Sequence, residues 1–312
     1  MTSAAYQAAT SSATSGIAVV TGAKSGIGLA LARQVAALDF IDHVLAVSRS
    51  ITAADLGNNK KIVPVAANVA TAAGRQTIVD KVQELCGNDS NDKTRTKQVR
   101  FLIHSAGTIQ PITPMQELTP AAFRAAMEVN CEGPLFLSID LYPYLQPLSA
   151  GGVAGRVLHV SSGAAHGAPP VGWGTYGITK AAFVQTFRVL EREWRDTGVV
   201  VGSFKPGVVD TAMQGQIRST PADTMPAVQN FVNMKEKQQQ QQQAAPSSVA
   251  RPPPAGALDS PENVAHFAQF LLVGTKDEEF ANAKDDNEWD IRHKQHYPRW
   301  ILPENLPKEE EE

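Results

Sequence analysis

The stretch Ile17-Ala-Val-Val-Thr-Gly22-Ala-Lys-Ser-Gly26-Ile-Gly28 decides the fold. Residues 17–20 form a short apolar run, mostly β-branched, as a strand buried on both faces does. A glycine turn of the form Gly-x-x-x-Gly-x-Gly follows, and residues 29–38 read as a helix. The strand signal returns at 43–47, 61–66, 99–103, 155–160 and 199–204. Helices are predicted between these strands at 71–85, 121–141 and 175–195. Thr119 before Pro120 supplies an N-cap and a proline at the first helical position. Strands separated by helices require parallel crossovers. The expected class is therefore α/β, a Rossmann-type doubly wound parallel sheet built as a single domain over residues 16–302.

Composition bounds the function. With 312 residues, 43% of them hydrophobic, the chain can bury one large core. A net charge of -3 draws it neither to nucleic acid nor to an anionic membrane. No apolar run approaches the roughly 18 to 20 residues that span a bilayer. Cys86 and Cys131 lack metal-type spacing and read as free thiols of a reducing compartment. His293-Lys-Gln-His296 lacks supporting ligands, so no metal site is expected. Residues 1–15, rich in Ala, Ser and Thr, carry no Lys or Arg and are expected to be a disordered leader. The cytoplasm is then the default location. Residues 303–312 are expected to be an acidic tail. From 212 to 258 the βα rhythm stops, and a run from Gln238 to Gln243 with Arg251-Pro-Pro-Pro predicts a solvated, partly mobile insertion. Ser260-Pro-Glu then restarts a helix with Ser260 as its cap.

A glycine turn placed after a strand and opening a helix suits a dinucleotide. Gly22 permits the tight turn, Gly26 lets backbone approach the pyrophosphate, and Gly28 brings helix against strand. Lys24, Ser25 and Ile27 complete the turn, where the helix N-terminus presents unpaired N–H groups to phosphate. Sites that prefer NAD usually carry a carboxylate about 20 residues beyond the turn. Ser48 and Arg49 occupy that place. With no acid to repel a 2′-phosphate and a guanidinium to pair with it, NADP(H) is the expected cofactor and NAD(H) the alternative.

Tyr176 and Lys180, in Thr175-Tyr-Gly-Ile-Thr-Lys180, lie at i and i+4 on one helix face. A cation there favours phenolate and lowers the tyrosine pKa toward working pH, as suits a proton donor to a carbonyl. Further signatures accompany this pair and the glycine turn. They are Ala106-Gly107 after the fourth strand, Asn130 in Glu-Val-Asn-Cys, Ser161-Ser162, and Pro206-Gly207 leading to Thr211. In this combination and order the chain resembles the short-chain dehydrogenase/reductase family from residue 17 to about 272.

The resemblance implies Tyr176 as general acid and Lys180 as holder of the nicotinamide ribose. It implies Ser162 as hydrogen-bond donor to the carbonyl oxygen, and Asn130 as holder of a water that links Lys180 to solvent. The cofactor would be lined by the turn, by Ser48, Arg49, Asn68, Val69, Ser105, Ala106 and Gly107, and by Pro206, Gly207, Val208, Val209 and Thr211. Asn130, Tyr176 and Lys180 would border it as well. Ser162 stands one residue farther from Tyr176 than the family's serine, which leaves Ser161 as fallback. The usual Asn-Asn-Ala-Gly reads His104-Ser105-Ala106-Gly107, so different side-chain bonds must brace that turn. The acid often found after the third strand is Asn68.

Finer patterns, Val160-Ser-Ser-Gly-Ala164 and Gly172-Trp-Gly-Thr-Tyr176 among them, are similar to fungal benzil reductases and, more distantly, sepiapterin reductases. That likeness implies NADPH-dependent reduction of an α-dicarbonyl or aryl ketone such as benzil. Trp173 is either an apolar wall for a flat substrate or a packing residue at the helix start. Met213 and the segment beyond it, within 212–258, would cover the pocket as a substrate lid. His166 faces either substrate or water. Two other readings stand beside this one. An NAD-linked alcohol dehydrogenase is disfavoured by Arg49, and a dinucleotide-binding scaffold would use the Gln/Pro-rich insertion. The expected partner is a small-molecule carbonyl compound, without nucleic acid or membrane. Family association through the long helices implies a homodimer or homotetramer.

Overall fold

The computed structural model describes residues 15–87, 95–244, 249–281 and 288–307. Its strands are β1 (Gly16–Thr21), β2 (Ile41–Ser48), β3 (Ile62–Ala66), β4 (Val99–His104), β5 (Gly155–Val160), β6 (Val199–Lys205) and β7 (Trp289–Asp290). All pair in parallel, in the order β3-β2-β1-β4-β5-β6-β7. β1, β4 and β5 are buried along their whole length, which is why they read as continuous rather than alternating apolar runs. β7 has only two residues, too short to leave a periodic signal.

The main helices are α1 (Gly26–Ala36), α2 (Ala72–Cys86), α3 (Pro120–Met127), α4 (Gly133–Leu145), α5 (Gly174–Trp194), α6 (Ala212–Arg218), α7 (Val228–Ala244) and α8 (Pro261–Gly274). α1 and α8 cover one face of the sheet, where Leu31, Phe101, Phe204, Phe267 and Trp300 pack together. α2, α4 and α5 cover the other, around Ile78, Leu102, Leu137 and Phe187. Hydroxyl caps set the helix starts. Thr71, Thr119 and Ser260 accept from the backbone N–H groups of Gly74, Ala122 and Asn263 at 3.1, 3.2 and 3.2 Å. Among the described residues no helix is long and apolar enough to cross a membrane.

Two differences from the sequence reading bear on the site. The helix predicted at 121–141 is interrupted by a π-helical turn at Glu128–Glu132, which carries Asn130 to 1% exposure. Within the insertion at 212–258, expected to be solvated and partly mobile, residues 212–218 and 228–244 form α6 and α7. Val228, Phe231 and Met234 repeat at helical spacing and supply an apolar face that composition averaged over the segment conceals. Lys235 Nζ donates to Gln238 Oε1 at 2.8 Å, and Gln238 is itself buried. Most of the expected leader and acidic tail, 1–14 and 308–312, lies outside the described residues, as do 88–94 and 245–248. Ser15 donates to Asp42 Oδ2 at 2.7 Å, and Pro303–Asn305 makes a 3-10 turn.

Strand order reverses between β1 and β4, and their C-terminal ends open the crevice where such sheets take ligands. Backbones nearly touch there. Gly22 has φ +70°, and a Cβ on it would lie 2.8 Å from the Ala106 Cα. Thr21 Oγ1 accepts from the N–H groups of Ser105 and Ala106 at 3.2 and 3.1 Å, and donates to the Ile103 carbonyl at 3.4 Å. This hydroxyl braces the turn that departs from the family's pattern. His104 turns inward instead, its Nε2 2.8 Å from Ser138 Oγ. Thr21→Val keeps the shape but strands those two N–H groups. It is expected to destabilise the fold by about 1–3 kcal/mol, read from urea unfolding curves.

Candidate active site

The glycine turn, the ends of β2 and β3 and the loop after β4 enclose a cavity of about 440 Å³. Gly22, Ser48, Arg49, Asn68, Val69 and Gly107 help to line it, with Ala106 beside them, and no lining residue is acidic. Its floor is bare backbone. A Cβ on Gly28 would lie 2.3 Å from the Gly22 carbonyl oxygen, so no side chain fits between turn and helix. Ser25, at the N-cap of α1, makes no side-chain cap, which leaves the helix's first N–H groups to a ligand. Gly26 and Ile27 open that helix, and the Thr211 methyl would sit 3.0 Å from a Cβ on Gly26. Lys24 Nζ donates to the Ser50 carbonyl at 2.8 Å and lies 3.8 Å from Asp55, on the Arg49 side of the turn. Asn68 Oδ1 accepts from the Ala70 N–H at 3.2 Å. These residue types fit a dinucleotide: bare backbone and a helix N-terminus for pyrophosphate, and cations where the adenosine ribose would lie.

Asn130 ties the loop after β4 to α5. Its Nδ2 donates to the Thr108 carbonyl and to Thr179 Oγ1, both at 2.9 Å, and its Oδ1 accepts from the Thr108 N–H at 2.8 Å. Lys180 and Tyr176, one turn apart on α5, are both buried. Lys180 Nζ donates to the Val160 carbonyl at 3.0 Å. Burial pulls its pKa down to about 8, and the field of Glu288 opposes that fall. A Cβ on Gly107 would lie 3.4 Å from Asn130 Oδ1 and 3.9 Å from Lys180 Nζ, so the cavity meets both side chains at this glycine.

The Ser162 hydroxyl neighbours the phenol of Tyr176. Burial raises the tyrosine pKa, and the Ser162 hydroxyl works in the opposite direction. The net shift is upward, where the i, i+4 spacing with Lys180 predicts a downward one. The ammonium is held by the Val160 carbonyl, 6.0 Å from the phenol ring centroid. Tyr176 therefore stays protonated at neutral pH, in the form that can donate. Ser162 Oγ also accepts from the Ala164 N–H at 3.2 Å. Ser161 is buried with its hydroxyl unpartnered, so Ser162 rather than Ser161 meets the tyrosine.

An apolar cluster closes over the phenol. Trp173 stands edge-on to Tyr176 with centroids 5.9 Å apart, lies 5.2 Å from Phe231 of α7, and donates through Nε1 to Met225 Sδ at 3.1 Å. Ile109 and Ile217 are buried in the same cluster, with Met213 and Val208 packed against it. Lys235 of α7 pairs with Asp210 at 2.6 Å, just beyond the Pro206-Gly207 turn that leaves β6. Val209 faces away, into the core around Phe204 and Val264.

Sequence motifs singled out Trp173 and Met213 here. Phe231 and Met225 went unmarked, hidden in a segment whose composition reads as solvated. Thr21 stands in the glycine-turn motif without a role assigned to it, and Thr108 and Thr179 went unmarked, since a threonine becomes a brace only when folding brings it to its partner. His166 bonds Glu288, 122 residues away in sequence. No local pattern could have signalled that pair.

Residues 16–222 match the model of the short chain dehydrogenase family. Benzil reductase ((S)-benzoin forming) of Bacillus cereus is 28% identical over 264 residues, which cover 81% of this chain and 92% of that protein. A second benzil reductase match is from Bacillus subtilis, so the matched benzil reductases are bacterial where the sequence patterns point to fungal ones. Sepiapterin reductase of Meriones unguiculatus is 31% identical over 221 residues, 66% of this chain and 79% of that one. Among solved structures, the KRED1-Pglu enzyme superposes with a TM-score of 0.67 at 26% identity, covering 88% of this chain and all of that one. A short chain dehydrogenase of Burkholderia cenocepacia, solved in complex with NADP, shares the fold. Its TM-score is 0.60 at 21% identity, over 83% of this chain and 90% of that one. The chain thus belongs to the short-chain dehydrogenase/reductase family of NAD(P)-dependent oxidoreductases.

Proposed function

We propose that the protein is an NADPH-dependent carbonyl reductase acting on an α-dicarbonyl or aryl ketone such as benzil. The observation that carries this reading is Tyr176: a buried phenol beside Ser162, one turn from Lys180 and edge-on to Trp173. In the proposed reaction the substrate oxygen accepts hydrogen bonds from Tyr176 and Ser162 as negative charge grows on it, and Tyr176 then yields its proton. Lys180 holds the nicotinamide ribose. Asn130, fixed by Thr108 and Thr179, holds the water that returns a proton through Lys180.

Bound NADPH supplies the hydride. The glycine turn with Ser25, Gly26, Ile27 and Gly28 holds its pyrophosphate. Arg49, aided by Lys24, pairs with the 2′-phosphate beside Ser48, and the lack of an acidic lining residue supports this choice over NAD(H). Asn68 and Val69 border the adenine, while Ser105, Ala106, Gly107, Pro206, Gly207, Val208 and Thr211 border the rest of the cofactor; Val209, turned into the core, does not. Trp173 and Met213 face a flat apolar substrate, and the 212–258 segment is the lid that admits it. The likeness to benzil and sepiapterin reductases supports a ketone substrate. A homodimer or homotetramer is part of the reading, supported by exposed Phe136 and Ile139 on α4 and Ile178 and Val189 on α5. So is a cytoplasmic setting, supported by the free thiols of Cys86 and Cys131.

Tyr176→Phe is expected to lower benzil-dependent NADPH oxidation by about 10² to 10⁴-fold while NADPH affinity, read by fluorescence titration, stays near wild type. Retained turnover would remove the tyrosine from the chemistry. Arg49→Asp is expected to invert the ratio of kcat/KM for NADPH to that for NADH, since it replaces a phosphate partner with a like charge. Reduction should fall as pH rises through about 8, where Lys180 loses its proton, and should hold steady below that value. A pH series of kcat/KM checks this.

A further inference from the structure

Glu288 and His166 form a pair outside the roles assigned above. The Glu288 side chain is fully buried, at the start of β7. One carboxylate oxygen meets His166 Nε2, and the other accepts from Ser203 Oγ at 2.6 Å. His166 ends the short turn that begins at Ser162, whose hydroxyl neighbours the Tyr176 phenol. The carboxylate therefore fastens the serine turn to the edge of the sheet. Ser203 Oγ, held by Glu288, also lies 3.4 Å from the His159 carbonyl, one residue before the Val160 carbonyl that takes Lys180 Nζ at 3.0 Å. The carboxylate thus stands close enough for its field to support the charged form of Lys180 against burial. A buried ammonium whose direct partner is a carbonyl is costly to keep charged, and so is a buried carboxylate held by an imidazole and a hydroxyl. Each offsets the desolvation of the other.

The remaining ionisable groups around Lys180 do not do this. His104 of β4 and His159 of β5 are buried, and burial lowers both pKa values, to about 3 for His104, so both are neutral. Tyr176, on the same helix, is kept protonated by burial. Lys205 of β6 and Arg292 are engaged with Asp290, at 3.7 and 2.6 Å.

We propose that Glu288, clamped by His166, is a positioning residue of the active site: it supplies the negative charge that holds Lys180 as a cation and fixes the Ser162 turn against Tyr176. This inference rests on the carbonyl-reductase reading. Glu288→Gln preserves the shape and removes the charge. Its alkaline limb in kcat/KM for benzil reduction is expected to move toward acid by about one pH unit. At pH 8.5 the variant would then fall about fivefold to tenfold below wild type, with near-equal values at pH 6.

A second readout needs no turnover. In protein labelled with ¹³Cε-lysine, the Lys180 resonance, identified by its loss in Lys180→Met, should titrate about one unit lower in Glu288→Gln. Wild-type protein that does not reduce benzil, with the Lys180 midpoint still displaced in the variant, would sink the function and keep the coupling. A folded Glu288→Gln with wild-type limb and midpoint would overturn the inference alone. If Glu288→Gln does not fold, Glu288→Asp, which keeps the charge and shortens the clamp, is expected to retain the limb and lower kcat severalfold. A displaced limb or an unchanged kcat in that variant would also overturn it.

Discussion

Backbone meets backbone where the Gly22 turn passes the loop after β4, and the site depends on that contact. A parallel sheet buried on both faces leaves only its strand ends for a ligand, and here the ends of β1 and β4 diverge at the reversal of strand order. A Cβ at Gly22 would hold the two segments apart. The Thr21 hydroxyl then fills the hydrogen-bonding role that strand pairing gives up at this point, accepting from two successive N–H groups. With the approach made, the N-terminus of α1 aims into the crevice, and Gly107 brings the same cavity to Asn130 and Lys180. One close packing of main chain thus joins the cofactor end of the site to the reacting end.

Burial governs the electrostatics beyond it. Taken out of water, the Tyr176 phenol stays neutral and the Lys180 ammonium is weakened, which brings its titration into the range of ordinary solution pH. The two inward histidines on β4 and β5 are discharged by the same effect and behave as flat packing surfaces; His159 stacks on Phe183 at 4.3 Å. The Asn130 amide, satisfied at three points by Thr108 and Thr179, keeps its π-helical turn without an orphaned polar group. In the proposed reaction such a setting holds donors where charge develops instead of waiting for water to reorient.

The segment after β6 shows how composition can mislead. Its glutamines and prolines average to a polar stretch, yet Val228, Phe231 and Met234 recur at helical spacing, and Phe231 and Met234 pack in the cluster of Trp173 and Ile217. Ion pairs from Lys235 and Arg218 converge on Asp210 and anchor both helices beside the end of β6. Glutamine is a good helix former, so the run extends α7.

Legibility followed the range of the interactions. The parallel sheet, its alternation with helices, the glycine turn and the Tyr176–Lys180 pair were all readable from the sequence, because each is encoded within a few residues by periodicity, capping or helical spacing. The three hydroxyl caps at Thr71, Thr119 and Ser260 were local in the same way, and those at Thr119 and Ser260 could be named in advance. The tertiary structure decided what depends on distant neighbours: that Ser162 and not Ser161 neighbours the phenol, that Thr21 braces the Ser105 turn, that burial raises the Tyr176 pKa, and that Glu288 lies beside His166. Hydrogen bonds and charge fields act through space, and chain separations as long as 122 residues leave no mark on local pattern.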